Sequence, residues 1–97
     1  MLQGLCQIHN CNLIHGDLNP EHILVDPITQ DLFLCRLKIC GFSQARSNSG
    51  AIPPESSPVY WYKAPEQLVH YKIVDAKADV FSAGCVICEM LTGVPIF

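Results

Sequence analysis

Basic residues are scarce in this sequence. It carries only six Lys and Arg among 97 residues, no two of them adjacent, against nine Asp and Glu, for a net charge of −3. Recognition of nucleic acid needs a basic patch or stripe, so no nucleic-acid partner is expected for this segment. Charge of either sign is thin: 15% of residues are Asp, Glu, Lys or Arg, where a soluble domain carries roughly 25%. Long apolar runs are missing as well. The longest candidate, Phe81 to Leu91, is interrupted by Glu89 and falls short of the roughly 18–20 residues that cross a bilayer, so no membrane partner is expected. The first residues show neither a basic flank nor an apolar core of signal-peptide type, and Leu2 rather than glycine follows Met1, so neither a signal peptide nor myristoylation is expected.

Apolar side chains are plentiful, at 49%. That excludes intrinsic disorder, which requires low hydrophobicity and high charge. A chain this short buries only roughly 60–65% of its unfolded surface. Apolar surface is therefore expected to stay exposed, and the chain reads as part of something larger. The six cysteines, with no secretory signal, point to reduced thiols in a cytoplasmic or nuclear setting. Cys85-Val-Ile-Cys88 reads as two small side chains on one helical turn, because no second ligand pair at zinc spacing accompanies it.

Along the chain, Leu2, Leu5, Cys6 and His9 follow helical spacing, and Asn10 and Asn12 mark its stop. His15 to His22 is a polar loop, and Ile23-Leu24-Val25 a short strand. Phe33, Cys35, Leu37 and Ile39 alternate with Leu34, Arg36 and Lys38 as a second strand, which predicts a hairpin. Residues 41–64 have no usable periodicity. Pro65 opens a turn or two of helix reaching Val69, where proline is tolerated. Residues 76–92 form the strongest helix, with Val80, Ala83, Gly84, Ile87 and Leu91 as its apolar stripe and Phe81, Cys85, Cys88 and Met90 covering much of the rest. A helix apolar nearly all round is expected to be buried on all sides. Gly93 and Pro95 then stop it. The fold class is α+β.

Four segments carry a resemblance. His15-Gly-Asp-Leu-Asn-Pro-Glu-His-Ile-Leu-Val25 looks like the catalytic loop H-R-D-L-K-P-E-N-I-L-V. Gly41-Phe42-Ser43 looks like D-F-G, and Trp61-Tyr-Lys-Ala-Pro-Glu66 looks like W-Y-R-A-P-E. Asp79-Val-Phe-Ser-Ala-Gly-Cys85 looks like D-V-W-S-x-G-C. Together they resemble a eukaryotic protein kinase along the whole chain. The W-Y-K-A-P-E form is similar to the CMGC group. The turn Val25 to Asp31 is similar to the homeodomain-interacting and dual-specificity tyrosine-regulated branches.

The resemblance implies a partial kinase domain over residues 1–97, a piece of the large lobe. Its catalytic loop would be residues 13–25, its D-F-G-like turn 41–43, its activation segment 41–66 and its central helix 76–92. The family function is phosphoryl transfer from ATP to protein Ser/Thr, or to Tyr as well. Magnesium in such a reaction needs hard oxygen ligands. The family's two ligand positions are Gly41, which has no side chain, and His22, whose nitrogen suits zinc or copper better. Asn19 replaces the lysine that would neutralise the phosphoryl group, Gly16 replaces an arginine, and Ser43 replaces a glycine. Asp17 keeps the proton-acceptor position and is expected to be idle or structural. Asp79 is expected to bind catalytic-loop amides; the resemblance pairs Glu66 with a downstream arginine that these residues do not include, so Glu66 is expected to be unpaired here. Ser56 stands where the branch has its activating tyrosine, Tyr60 where it has an arginine, and Ser57-Pro58 is a weak proline-directed motif.

No cofactor is expected for this chain, although ATP and magnesium serve the family. The expected partner is a protein, or a second copy, held through exposed apolar surface. Three readings stand: an inactive piece of the enzyme class, a pseudokinase-type binding module or scaffold, and a truncated product that does not fold stably.

Overall fold

The computed structural model describes residues 1–25, 37–47, 61–68 and 74–97. Helix α1 runs Leu2–Asn10, and strand β1 is Leu13–Ile14. A 3-10 turn at Pro20–His22 leads into β2, Ile23–Val25. Strand β3 is Leu37–Ile39, and a second 3-10 turn at Phe42–Gln44 precedes β4, Arg46–Ser47. Helix α2 is Pro65–Leu68 and helix α3 is Lys77–Thr92.

The predicted hairpin is present: β2 and β3 pair antiparallel, Ile23 facing Ile39 and Val25 facing Leu37. The Phe33 to Arg36 part of the expected strand lies outside the described residues, as do the Val25–Asp31 turn beyond its first residue, Ser56 to Tyr60, and Val69. A second pairing was not foreseen. Leu13 and Ile14 pair antiparallel with Ser47 and Arg46, joining the start of the polar loop to the stretch that lacks periodicity. Two-residue strands carry no alternation to detect.

Helix α1 ends where the asparagines predicted, with Asn12 at φ 60°. Its buried contact is narrower than the sequence spacing implied, because Leu5 is buried while Leu2 and Cys6 are exposed. The Asp75 carboxylate accepts the Lys77 N–H at the start of α3, 2.9 Å away. Gly93, at φ 80°, closes the helix by donating to the Glu89 carbonyl over 2.7 Å; this left-handed stop favours a residue without Cβ.

The expectation that α3 is buried on all sides is corrected. The helix buries Ala78, Asp79, Ser82, Ala83, Cys85 and Val86. Of the stripe read from the sequence, Ala83 points inward, Ile87 is half-buried, and Val80 and Leu91 are 59% and 81% exposed. Polar Asp79 and Ser82 take inward positions because loop backbone groups there need partners, and hydropathy does not register that demand. The core lies along this inner face. Leu5, Leu18 and Ala83 pack together with Met1, Ile23 and Ile39. Tyr62, Cys85 and Val86 form a neighbouring cluster, and Ala64, Val74 and Ala78 another, both flanked by Phe81.

Candidate functional site

Residues His15 to Asn19 are buried over their whole length, so their polar backbone must be satisfied from within the protein. Asp79 satisfies two of these groups. Its Oδ2 accepts the His15 N–H over 2.8 Å, and its Oδ1 accepts the Gly16 N–H over 2.9 Å. The carboxylate is 1% exposed, and it also receives His9 Nε2 at 2.9 Å. The role expected of Asp79 is thus present, and His9 on α1 joins it. Gln67 on α2 adds a second brace: its side-chain N–H donates to the Gly16 carbonyl over 3.0 Å, while its oxygen accepts the Ala64 N–H over 2.9 Å.

His15 is fixed as the Nε2–H tautomer. Nε2 donates to the Cys40 carbonyl over 2.7 Å, and Nδ1 accepts the Asp17 N–H over 3.2 Å. Its ring lies 5.1 Å from that of Phe42 and 5.7 Å from that of His22, centroid to centroid. These contacts tie the catalytic-loop-like segment to the 41–43 turn.

Asp17 sits at the centre. Its carbonyl accepts from the Asn19 amide over 2.9 Å and from His22 Nδ1 over 2.7 Å. Its carboxylate is buried, with Lys63 Nζ 3.8 Å from Oδ1 and His22 Nδ1 3.7 Å from Oδ2. Lys63 is buried too. A pair of this kind leaves each charge dependent on the other, because a lone charge in such a place is poorly solvated. Asn19 spends its oxygen on the Glu21 N–H, 2.9 Å away, as the cap of the 3-10 turn.

The structure brings Asp17, Asn19, His22 and Gly41 together. Gly41 takes φ 74°, ψ 54°, and the space beside its Cα is occupied by the His22 ring. Neither residue presents an oxygen side chain, so the pair does not fit magnesium. Among the described residues no three His, Cys, Asp or Glu side chains cluster to hold a metal.

The sequence pattern does not mark Lys63, His9 or Gln67 as site residues. Lys63 stands inside a quoted motif, yet nothing in its neighbours signals that it turns inward to Asp17. Below the loop, the Tyr62 hydroxyl donates a short hydrogen bond to Glu89. Burial, and then that bond to a carboxylate, push its pKa up to about 12. Burial also pushes the Cys85 thiol up.

The model of the protein kinase domain matches residues 1–97. A protein of Oryza sativa subsp. japonica named as cyclin-dependent kinase F-2 is 35% identical over 99 residues, covering 100% of this chain and 28% of that protein. Mitogen-activated protein kinase hog1 of Aspergillus glaucus is 38% identical over 97 residues, covering 100% of this chain and 25% of that protein. A chain from the crystal structure of the yeast RNA Pol II CTD kinase CTDK-1 complex superposes with a TM-score of 0.82 at 29% identity, over 99% of this chain and 30% of that one. The chain thus spans between a quarter and a third of the length of these relatives.

Proposed function

Since the chain belongs to the protein kinase domain family, we propose that these residues form the middle of a CMGC-type large lobe in which the catalytic loop persists as architecture while its phosphoryl-transfer chemistry is disabled. The observation that carries this reading is the state of Asp17. The residue at the family's proton-acceptor position is buried, ion-paired with Lys63, and flanked by Gly41 and His22 in place of oxygen ligands.

Phosphoryl transfer asks a protein chiefly for positioning and for neutralisation of charge. In this segment Asp79 and Gln67 supply the positioning, since they hold the loop backbone at His15 and Gly16, and His9 bonds to the Asp79 carboxylate. Neutralisation is what it fails to supply. Asn19 is uncharged and engaged as a cap, the Lys63 ammonium faces Asp17, and the two ligand positions offer no oxygen. A base without charge stabilisation retains little rate.

A pseudokinase-type binding role is a second reading, favoured by the outward stripe of α3. Val80, Met90 and Leu91 are exposed there, and Phe97 stacks on Phe81 beside a groove of about 380 Å³ lined also by Trp61, Pro65 and Leu68. The partner on this reading is a protein or a second copy, in the cytoplasm or nucleus. Within the CMGC group, the Val25 to Asp31 turn and the W-Y-K-A-P-E form support a place beside the homeodomain-interacting and dual-specificity tyrosine-regulated branches.

The test is transfer of radiolabelled phosphate from ATP to a generic basic protein with excess magnesium. The chain and its Asp17→Asn variant are expected to give the same background. Transfer by the chain above that of the variant would overturn the proposal.

A further inference from the structure

We propose that His22 and Gly41 act as an interlocked pair: the His22 imidazole fills the side-chain space of position 41 and itself clamps the catalytic-loop-like segment to the 41–43 turn, in place of a bound cation. This inference rests on the proposed loss of phosphoryl transfer and gives that loss a structural cause.

The steric part is direct. A Cβ built on Gly41 would fall within 2.6 Å of three atoms of the His22 ring, Cδ2, Cγ and Nε2. Such separations are far inside carbon–carbon contact, and the atoms belong to the body of the ring rather than to a mobile tip. Gly41 also sits at φ 74°, where a side chain is strained regardless of space.

The ring is not free to move aside. Its Nδ1–H donates to the Asp17 carbonyl over 2.7 Å. Its own backbone is held on both sides: the His22 N–H donates to the Asn19 carbonyl over 3.0 Å, and the His22 carbonyl accepts the Cys40 N–H over 2.7 Å. The His15 ring closes the other flank, itself anchored on the Cys40 carbonyl. One side chain therefore touches both segments whose carboxylate and amide oxygens would meet on a cation in the family pattern. It bonds to Asp17 on one segment and packs against Gly41 on the other.

Two consequences follow. The departures at positions 22 and 41 constitute one change, since His22 permits only glycine at 41. Restoring a carboxylate by Gly41→Asp alone also creates no cation site, because the ring already occupies that volume.

A double-mutant cycle tests the interlock. The full 97-residue chain, Gly41→Ala, His22→Ala and the double variant are compared by urea denaturation followed by circular dichroism. The φ strain at position 41 is common to both backgrounds and cancels. Gly41→Ala is expected to lower the folding equilibrium constant at least tenfold more when His22 is present than in the His22→Ala background. Equal losses in the two backgrounds would overturn the interlock. Should Gly41→Ala fail to fold while the double variant folds, the coupling is at its extreme and the interlock stands. Should both fail, nuclear Overhauser contacts between the His22 ring and the Gly41 Hα protons in the unaltered chain decide, their presence supporting the interlock and their absence refuting it. Phosphate transfer by the unaltered chain sinks the functional reading on its own, whereas an inactive chain without coupling sinks only the interlock.

Discussion

Asp79→Ala is the sharpest probe of the loop scaffold. The carboxylate is fully enclosed and accepts two backbone N–H groups, from His15 at 2.8 Å and Gly16 at 2.9 Å, besides His9 at 2.9 Å. Hydrogen bonds to a charged group contribute about 1.5–3 kcal/mol each, and a buried donor left without a partner costs about the same. The two amides alone therefore set the loss at about 3–6 kcal/mol. A complete native domain of this size is stable by only about 5–15 kcal/mol, so a loss of this size is expected to remove a large share of whatever stability the chain has, and the ordered structure at the loop. Asp79→Asn keeps one acceptor oxygen and should lose roughly half as much. His9→Ala removes the partly exposed third bond and should cost about 1 kcal/mol, within the usual range for one hydrogen bond. Urea denaturation gives the energies, and amide hydrogen exchange at His15 and Gly16 gives the location. A loss under about 1 kcal/mol in Asp79→Ala, below what even one such bond contributes, or undiminished protection of those two amides, would refute the reasoning.

Other outcomes follow from the same contacts. Lys63→Met removes the ammonium beside the buried Asp17 carboxylate and should cost up to about 3–5 kcal/mol, the usual penalty for breaking a buried pair from one side; adding Asp17→Asn should restore part of that in thermal melts. Tyr62 keeps its proton more tightly folded than unfolded, so its share of stability is complete below pH 10 and is lost as pH rises toward about 12. The fall in stability over that window should shrink in Tyr62→Phe, measured by denaturation at stepped pH. With iodoacetamide, exposed Cys6 and Cys11 should alkylate well before Cys85, which is buried and has a raised pKa; peptide mass mapping reads the order. Sedimentation at low micromolar concentration should show association through the outward face of α3, and Val80→Glu with Leu91→Glu should reduce it. A clean monomer before substitution would refute that use of the surface.

The parts of this molecule legible in the sequence are those whose signals are local. Helix α1, the Ile23–Val25 strand and its partner at Leu37–Ile39, the Pro65 helix start and the Gly93 stop each follow from neighbours a few residues away. Asp17, Asn19, His22 and Gly41 are named by motif order, and the fold places them next to one another. What stayed hidden depends on contacts between distant segments. Helix α3 shows why: its inward face includes Asp79 and Ser82 because loop carbonyl and amide groups wait there, with the Ser82 hydroxyl 2.5 Å from the Tyr62 carbonyl. An apolar count assigns that face to Val80 and Leu91 instead. The β1–β4 pairing is too short for any pattern, and the inward turn of Lys63 is set by a carboxylate far off in the chain.

The amide of Gln67 makes the grip of α2 on the loop directional. One end must accept, from the Ala64 N–H, and the other must donate, to the Gly16 carbonyl. A side chain of the same length with two acceptors, as in Gln67→Glu, would keep the first bond and set an oxygen against an oxygen at the second. A shorter amide, as in Gln67→Asn, would not reach both. Position 67 thus works like a keyed connector: shape alone does not admit a substitute, because polarity has to enter the right way round. Through Gln67 a displacement of α2 would pull on the peptide immediately before Asp17, and Lys63, just ahead of the helix, faces the Asp17 carboxylate from the same segment.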